Sequence, residues 1–129
     1  MARMASPGRK PTDAELALLR VLWQRGPSTV RQVAESLDRE AGYTTVLKLL
    51  QIMTEKGLVV RDEASRTHVY TAAYTEDQTQ RQLVSDLLNR AFGGSAAKLV
   101  LQALSSNKPS RQELAEIRRL LDKQRGGTR

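Results

Sequence analysis

The chain has 129 residues, with 21 Lys and Arg against 14 Asp and Glu, which gives a formal net charge of +7. This length fits one domain or two small ones, and the positive charge favours a polyanionic partner, most commonly nucleic acid. The absence of Cys and the single His exclude disulfide scaffolds, Cys-ligated zinc, iron–sulfur clusters and multi-His metal sites.

Helix starts are marked by capping boxes, in which a Ser or Thr is followed three residues later by Glu or Gln. The motif occurs at Thr12/Glu15, Thr29/Gln32, Thr75/Gln78 and Ser110/Glu113. Each pair precedes apolar residues that recur three or four positions apart, so the sequence predicts a helix after each one.

The first half of the chain predicts three helices and a hairpin. We expect helices over residues 13–25, 30–39 and about 44–56, the last capped by Thr44 or Thr45. The first helix is expected to bury Leu16, Leu19 and Leu22 or Trp23. Alternating residues over 58–61 and 67–71 predict two short strands. This order of elements is typical of a winged helix-turn-helix, here over residues 11–73, after a basic arm at residues 1–10.

The second half predicts three more helices, over about 75–92, 96–105 and 111–125, which form a separate helical domain at residues 74–129. Some 50 residues are close to the lower limit for an independent core, so two copies are expected to form a symmetric homodimer. The alternative is that these helices pack back on the first domain. The apolar residues expected at the dimer contact are Leu83, Leu87, Leu99, Val100, Leu114, Ile117 and Leu121. The fold class is therefore mainly α with a small β-hairpin wing.

The third helix is the candidate recognition helix for the DNA major groove. Its outward residues are expected to be Thr44, Thr45, Leu47, Lys48 and Gln51, whose polar members suit contacts with base edges or phosphates. In the alternative interpretation, Thr44 and Thr45 only cap the helix and Lys48 is a solvated charge. Residues 11–73 carry as many acidic as basic side chains, so binding must depend on where the charges point. The candidate phosphate contacts are Arg31, Arg66, Arg9 and Lys10.

The sequence shows no constellation typical of an enzyme, a metal site or a cofactor site. His68 stands alone in a predicted wing strand, and the paired carboxylates lie at a hairpin tip or a helix start, where solvation and the helix dipole explain them. The chain has no apolar run of the roughly 18 residues that a membrane span needs and no secretory signal, so we expect a cytoplasmic protein.

Three segments resemble the BlaI/MecI/CopY penicillinase-repressor family: PTDAEL at residues 11–16, TVRQV at 29–33 and GYTTVLKLLQIMTEKGLV at 42–59. The resemblance implies a repressor that binds a palindromic operator in double-stranded DNA as a homodimer and is released by an inducing signal. It places Thr44, Thr45 and Lys48 in the base-contacting stretch and the dimer contact in the C-terminal helices.

The resemblance also bears on induction. In β-lactam-responsive members a membrane sensor protease system cleaves an Asn-Phe bond, and here the aligned residues are Gln102 and Ala103. Copper-responsive members carry C-x-C ligands, which a chain without Cys cannot have. The alternative functions are a winged-helix protein–protein adaptor without DNA binding and a binder of structured RNA.

Overall fold

The computed structural model describes residues 10–37 and 42–127. In these residues the chain forms three helices, a two-stranded antiparallel hairpin and three further helices, which confirms the predicted fold class. The elements in chain order are α1 (Asp13–Arg25), α2 (Val30–Ser36), α3 (Tyr43–Lys56), β1 (Val59–Asp62), β2 (Val69–Ala72), α4 (Glu76–Ala91), α5 (Ala96–Ser106) and α6 (Arg111–Gly127).

All four predicted capping boxes are formed. At the start of α1, the Glu15 backbone N–H donates to Thr12 Oγ1 at 3.2 Å, and Glu15 Oε1 accepts from the Thr12 backbone N–H at 2.9 Å. The same reciprocal pair of hydrogen bonds occurs at Thr29/Gln32, Thr75/Gln78 and Ser110/Glu113. Local sequence therefore places these helix starts, because each box satisfies two N–H groups that the helix leaves without partners.

One hydrophobic core joins α1, α2, α3 and the hairpin. The hairpin is also tied to the turn between α1 and α2, because Ser28 and Tyr70 exchange backbone hydrogen bonds of 3.0 and 2.8 Å. This pairing holds the wing beside the start of α2. The buried apolar residues are Leu18, Leu19, Val21, Leu22, Val30, Val33, Val46, Leu50, Met53, Leu58, Val59 and Tyr70.

The predicted buried stripe of α1 is partly wrong. Leu19 and Leu22 are buried as expected, but Leu16 and Trp23 are only half-buried, while Leu18 and Val21 are fully buried. The reason is that α1 contacts α2 and α3 as well as β2, so its buried face is wider than a single stripe.

The predicted end of the second helix is also wrong. We expected this helix to reach Arg39, but α2 ends at Ser36, and its C-cap Leu37 is extended with φ −81° and ψ 134°. Arg39 itself lies outside the described residues.

The chain divides into two compact units, with the division between Ser85 and Asp86 inside α4 rather than at the predicted boundary of residues 73 and 74. In the second unit, α5 and α6 are amphipathic helices, yet none of the described residues from Asp86 to Gly126 is buried. Within residues 10–37 and 42–127, no helix is both long enough and apolar enough to cross a membrane.

Candidate nucleic-acid interface

Helix α3 is fixed by its inner face and presents a mainly polar outer face, on which Tyr43 and Ile52 are also exposed. Val46, Leu50 and Met53 are completely buried, and their spacing of four and three residues sets the rotation of the helix. Four of the predicted recognition residues consequently lie together on the exposed side: Thr44, Thr45, Lys48 and Gln51.

The capping alternative for Thr44 and Thr45 is wrong. The N-cap of α3 is Gly42, with extended φ −77° and ψ 171°, and no side chain caps this helix. Thr44 and Thr45 are the second and third residues of α3, so their hydroxyl groups do not serve as its cap.

Leu47 does not point outward as predicted. It is half-buried and packs against the core formed by the helices and the hairpin. Leu47 follows Val46 directly, which turns it about 100° from Val46, toward α2 and the wing rather than toward the exposed face. It therefore forms part of a wall beside the recognition face.

That wall belongs to a groove of about 460 Å³ between α2, α3 and the wing. Arg31 of α2, Tyr43 and Leu47 of α3, and Arg66 and His68 of the wing line it. The Arg31 guanidinium carbon lies 5.9 Å from the centroid of the Tyr43 ring, which is cation–π geometry. The groove thus combines two arginines with an aromatic ring directly beside the exposed face of α3.

The wing presents Arg66 at its turn. Strands β1 and β2 pair from Val59 with Ala72 to Asp62 with Val69. Asp62 Oδ1 then accepts a hydrogen bond of 2.9 Å from the Ala64 backbone N–H, which tightens the turn after β1. Arg66 is exposed just beyond this turn.

Of the two arm residues proposed to contact phosphates, one lies in the described part of the chain. Lys10 is exposed immediately before α1, whereas Arg9 lies outside the described residues.

A largely buried ion pair anchors the C-terminal end of α3. Lys56 Nζ of α3 lies 2.7 Å from Glu15 Oε1 of α1, and the two side chains are 17% and 3% exposed. Burial alone raises the pKa of Glu15, but hydrogen bonds from Lys56 and from Thr12, with the Lys56 charge, outweigh burial and lower this pKa. Glu15 therefore stays charged near neutral pH and holds α3 against α1.

Sequence reasoning missed two parts of this site. Tyr43 is not among the predicted site residues, but it lines the groove and its ring contacts Arg31. Glu15 was predicted only as a capping residue. Its helical spacing to Leu18, Leu19 and Leu22 would have placed it on the buried face, where a carboxylate needs a cationic partner.

In the part of the chain that the structure describes, no group of three or more His, Asp or Glu side chains could hold a metal ion.

Comparison with known proteins gives a family match over most of the chain. The family model described as penicillinase repressor matches residues 11–123. The transcriptional regulator BlaI of Mycobacterium tuberculosis (strain CDC 1551 / Oshkosh) is 39% identical over 92 residues, which cover 69% of this chain and 67% of that protein. The penicillinase repressor of Bacillus licheniformis is 25% identical over 113 residues, which cover 86% of this chain and 88% of that protein.

Among solved structures, apo-NmtR in solution is 29% identical to this chain with a TM-score of 0.43. The match covers 60% of this chain and 61% of that one, less than two thirds of the solved chain.

Proposed function

The chain belongs to the penicillinase repressor family, and we propose that it represses transcription by binding a palindromic operator in double-stranded DNA as a homodimer. Helix α3 enters the major groove, and the wing contacts the adjacent backbone. We infer a cytoplasmic location from the proposed DNA partner. The family's name describes repression and no enzymatic activity.

One observation carries the proposal of DNA contact. The exposed side of α3 bears Thr44, Thr45, Lys48 and Gln51, which offer hydroxyl, ammonium and amide groups to base edges. A protein–protein adaptor that kept the same fold would more naturally expose an apolar patch at this place.

Phosphate contacts are assigned to arginines that flank this face. Arg31 and Arg66 lie on two walls of the groove beside α3, and Lys10 is exposed before α1. Phosphate contacts orient a protein on the duplex, while contacts with bases select the sequence. Arg31 and Arg66 therefore contribute affinity for any duplex, and the α3 residues contribute preference for the operator.

The homodimer is supported by the second unit. Its helices expose Leu87, Val100 and Leu121 at 48%, 42% and 59%, and none of its described residues is buried. A second copy would cover these side chains and supply the missing core. The remaining proposed dimer residues are Leu83, Leu99, Leu114 and Ile117, of which Leu114 is exposed and the others are half-buried.

Release of the operator is proposed to follow from loss of the dimer. One winged domain alone makes few contacts, and linking two half-sites raises affinity through effective concentration. Proteolysis in α5 by a membrane sensor protease is one route, and Gln102 and Ala103 are exposed on this helix. Neither residue has a large aromatic side chain, so we expect a protease that selects Asn-Phe to cut here slowly.

A gel shift on the DNA upstream of the protein's own gene, at two salt concentrations, tests the proposal. We expect wild-type protein to bind this duplex more tightly than an arbitrary sequence. Lys48→Ala and Thr45→Ala should each weaken specific binding by about 1–3 kcal/mol and leave binding to the arbitrary duplex nearly unchanged. Equal operator binding by both variants and the wild type would refute the assigned recognition face.

A further inference from the structure

The described lining of the groove beside α3 includes two arginines and a histidine. Arg31 of α2 and Arg66 of the wing line it, and His68 of the wing lines it as well. Among the described residues that line it, none is acidic, although acidic side chains balance the basic ones over residues 11–73 as a whole. A group of negative charge would therefore meet two guanidinium groups and, among the described lining residues, no carboxylate.

We propose that Tyr43 is a positioning residue for DNA: it orients Arg31 so that Arg31 and Arg66 together hold a backbone phosphate in this groove. This inference rests on the proposed function, because it takes DNA as the partner. The phosphate belongs to the strand next to the bases that α3 contacts, since Tyr43 directly precedes Thr44 on α3.

The contact between Arg31 and Tyr43 suits this role. Stacking uses the flat face of the guanidinium, while its N–H groups point outward in the plane and remain able to form two parallel hydrogen bonds with a phosphate. Arg31 is exposed, and an exposed Arg loses much rotamer freedom when it binds a phosphate. The contact with Tyr43 restricts the Arg31 side chain before DNA binds, so less freedom is lost on binding. The ring is itself half exposed, at 50%, so its face is available to the guanidinium without cost to the core.

The size of the groove agrees with a phosphodiester. Its volume of about 460 Å³ is far more than a single water molecule needs. It has room for a phosphate with part of its sugar, and the half-buried Leu47 in its wall offers an apolar contact for that sugar.

A double-mutant cycle tests the proposal with a labelled duplex of arbitrary sequence, titrated at several salt concentrations. Tyr43→Leu should weaken binding about two- to fivefold, as expected for the loss of one exposed cation–π contact. Tyr43→Phe keeps the ring face and should bind like wild type. Arg31→Ala should lower the salt slope by about one. Because Tyr43 acts through Arg31, adding Tyr43→Leu to Arg31→Ala should change nothing further.

Arg20→Ala is the matched control, since Arg20 is an exposed arginine of α1 that does not line the groove. It should leave both the affinity and the salt slope of binding close to wild type. Additive effects of Tyr43→Leu and Arg31→Ala, or equal loss in Tyr43→Phe and Tyr43→Leu, would overturn the positioning role while leaving the proposed repressor intact. If the wild-type protein binds no duplex at low salt, both proposals fail.

Discussion

Removing the charge of Glu15 tests how α3 is held against α1. Glu15 Oε1 accepts hydrogen bonds from Lys56 Nζ at 2.7 Å and from the Thr12 backbone N–H at 2.9 Å. Glu15→Gln keeps the capping box, because Gln also fits that motif, but it leaves the Lys56 ammonium with a neutral partner. Lys56→Met removes the cation and leaves the more deeply buried carboxylate without its counterion.

The magnitude follows from burial. Breaking a fully buried ion pair costs about 3–5 kcal/mol. Lys56 keeps 17% of its side-chain exposure and can regain some hydration, so we expect Glu15→Gln to cost about 1–2 kcal/mol. Lys56→Met should cost more, about 2–3 kcal/mol, since the Glu15 side chain is only 3% exposed. The double variant should lose less than the two single variants combined, because neither charge then remains unpaired.

Denaturant unfolding at one fixed protein concentration measures these free energies. Arg81→Met is the matched control, since its pair with Asp77 is 79% and 71% exposed and should contribute no more than about 0.5 kcal/mol. The pKa of Glu15 is lowered in the folded protein, so its contribution is fully present above the ordinary value of 4.5 and is lost as pH falls through the lowered pKa. The gap between wild type and Glu15→Gln should therefore shrink in acid. Additive losses in the double variant, or a gap that does not change with pH, would refute this reasoning.

Three further predictions concern binding and assembly. Arg66→Ala should weaken binding to operator and arbitrary duplexes alike and lower the salt slope by about one; a loss confined to the operator would contradict a phosphate contact. Ile117→Asp should turn the dimer into monomers in sedimentation at micromolar concentration, because it places a charge in the proposed contact, whereas the exposed-site control Gln112→Asp should not. An engineered cut between Gln102 and Ala103 should abolish tight operator binding in a gel shift. Tight binding after complete cutting would contradict the argument that the dimer links two half-sites.

The sequence by itself determined the local order of the chain. Capping boxes such as Thr12 with Glu15 act between residues three apart, so they mark helix starts without any tertiary contact. Period-two alternation likewise predicted the hairpin, and the helical period of the third segment predicted that Lys48 would be exposed. Such signals act within one or two turns of chain, and at these positions the structure agrees with them.

Only the tertiary structure decided features that join distant segments. Glu15 meets Lys56 across 41 positions of the chain, and the backbone pairing of Ser28 with Tyr70 sets the wing beside α2. Leu47 lines the groove because α2 and the wing lie beside it. The spacing of residues within α3 cannot specify where those other elements pack. These contacts depend on how whole elements pack against each other, and packing is decided by the summed burial of many side chains rather than by any local motif.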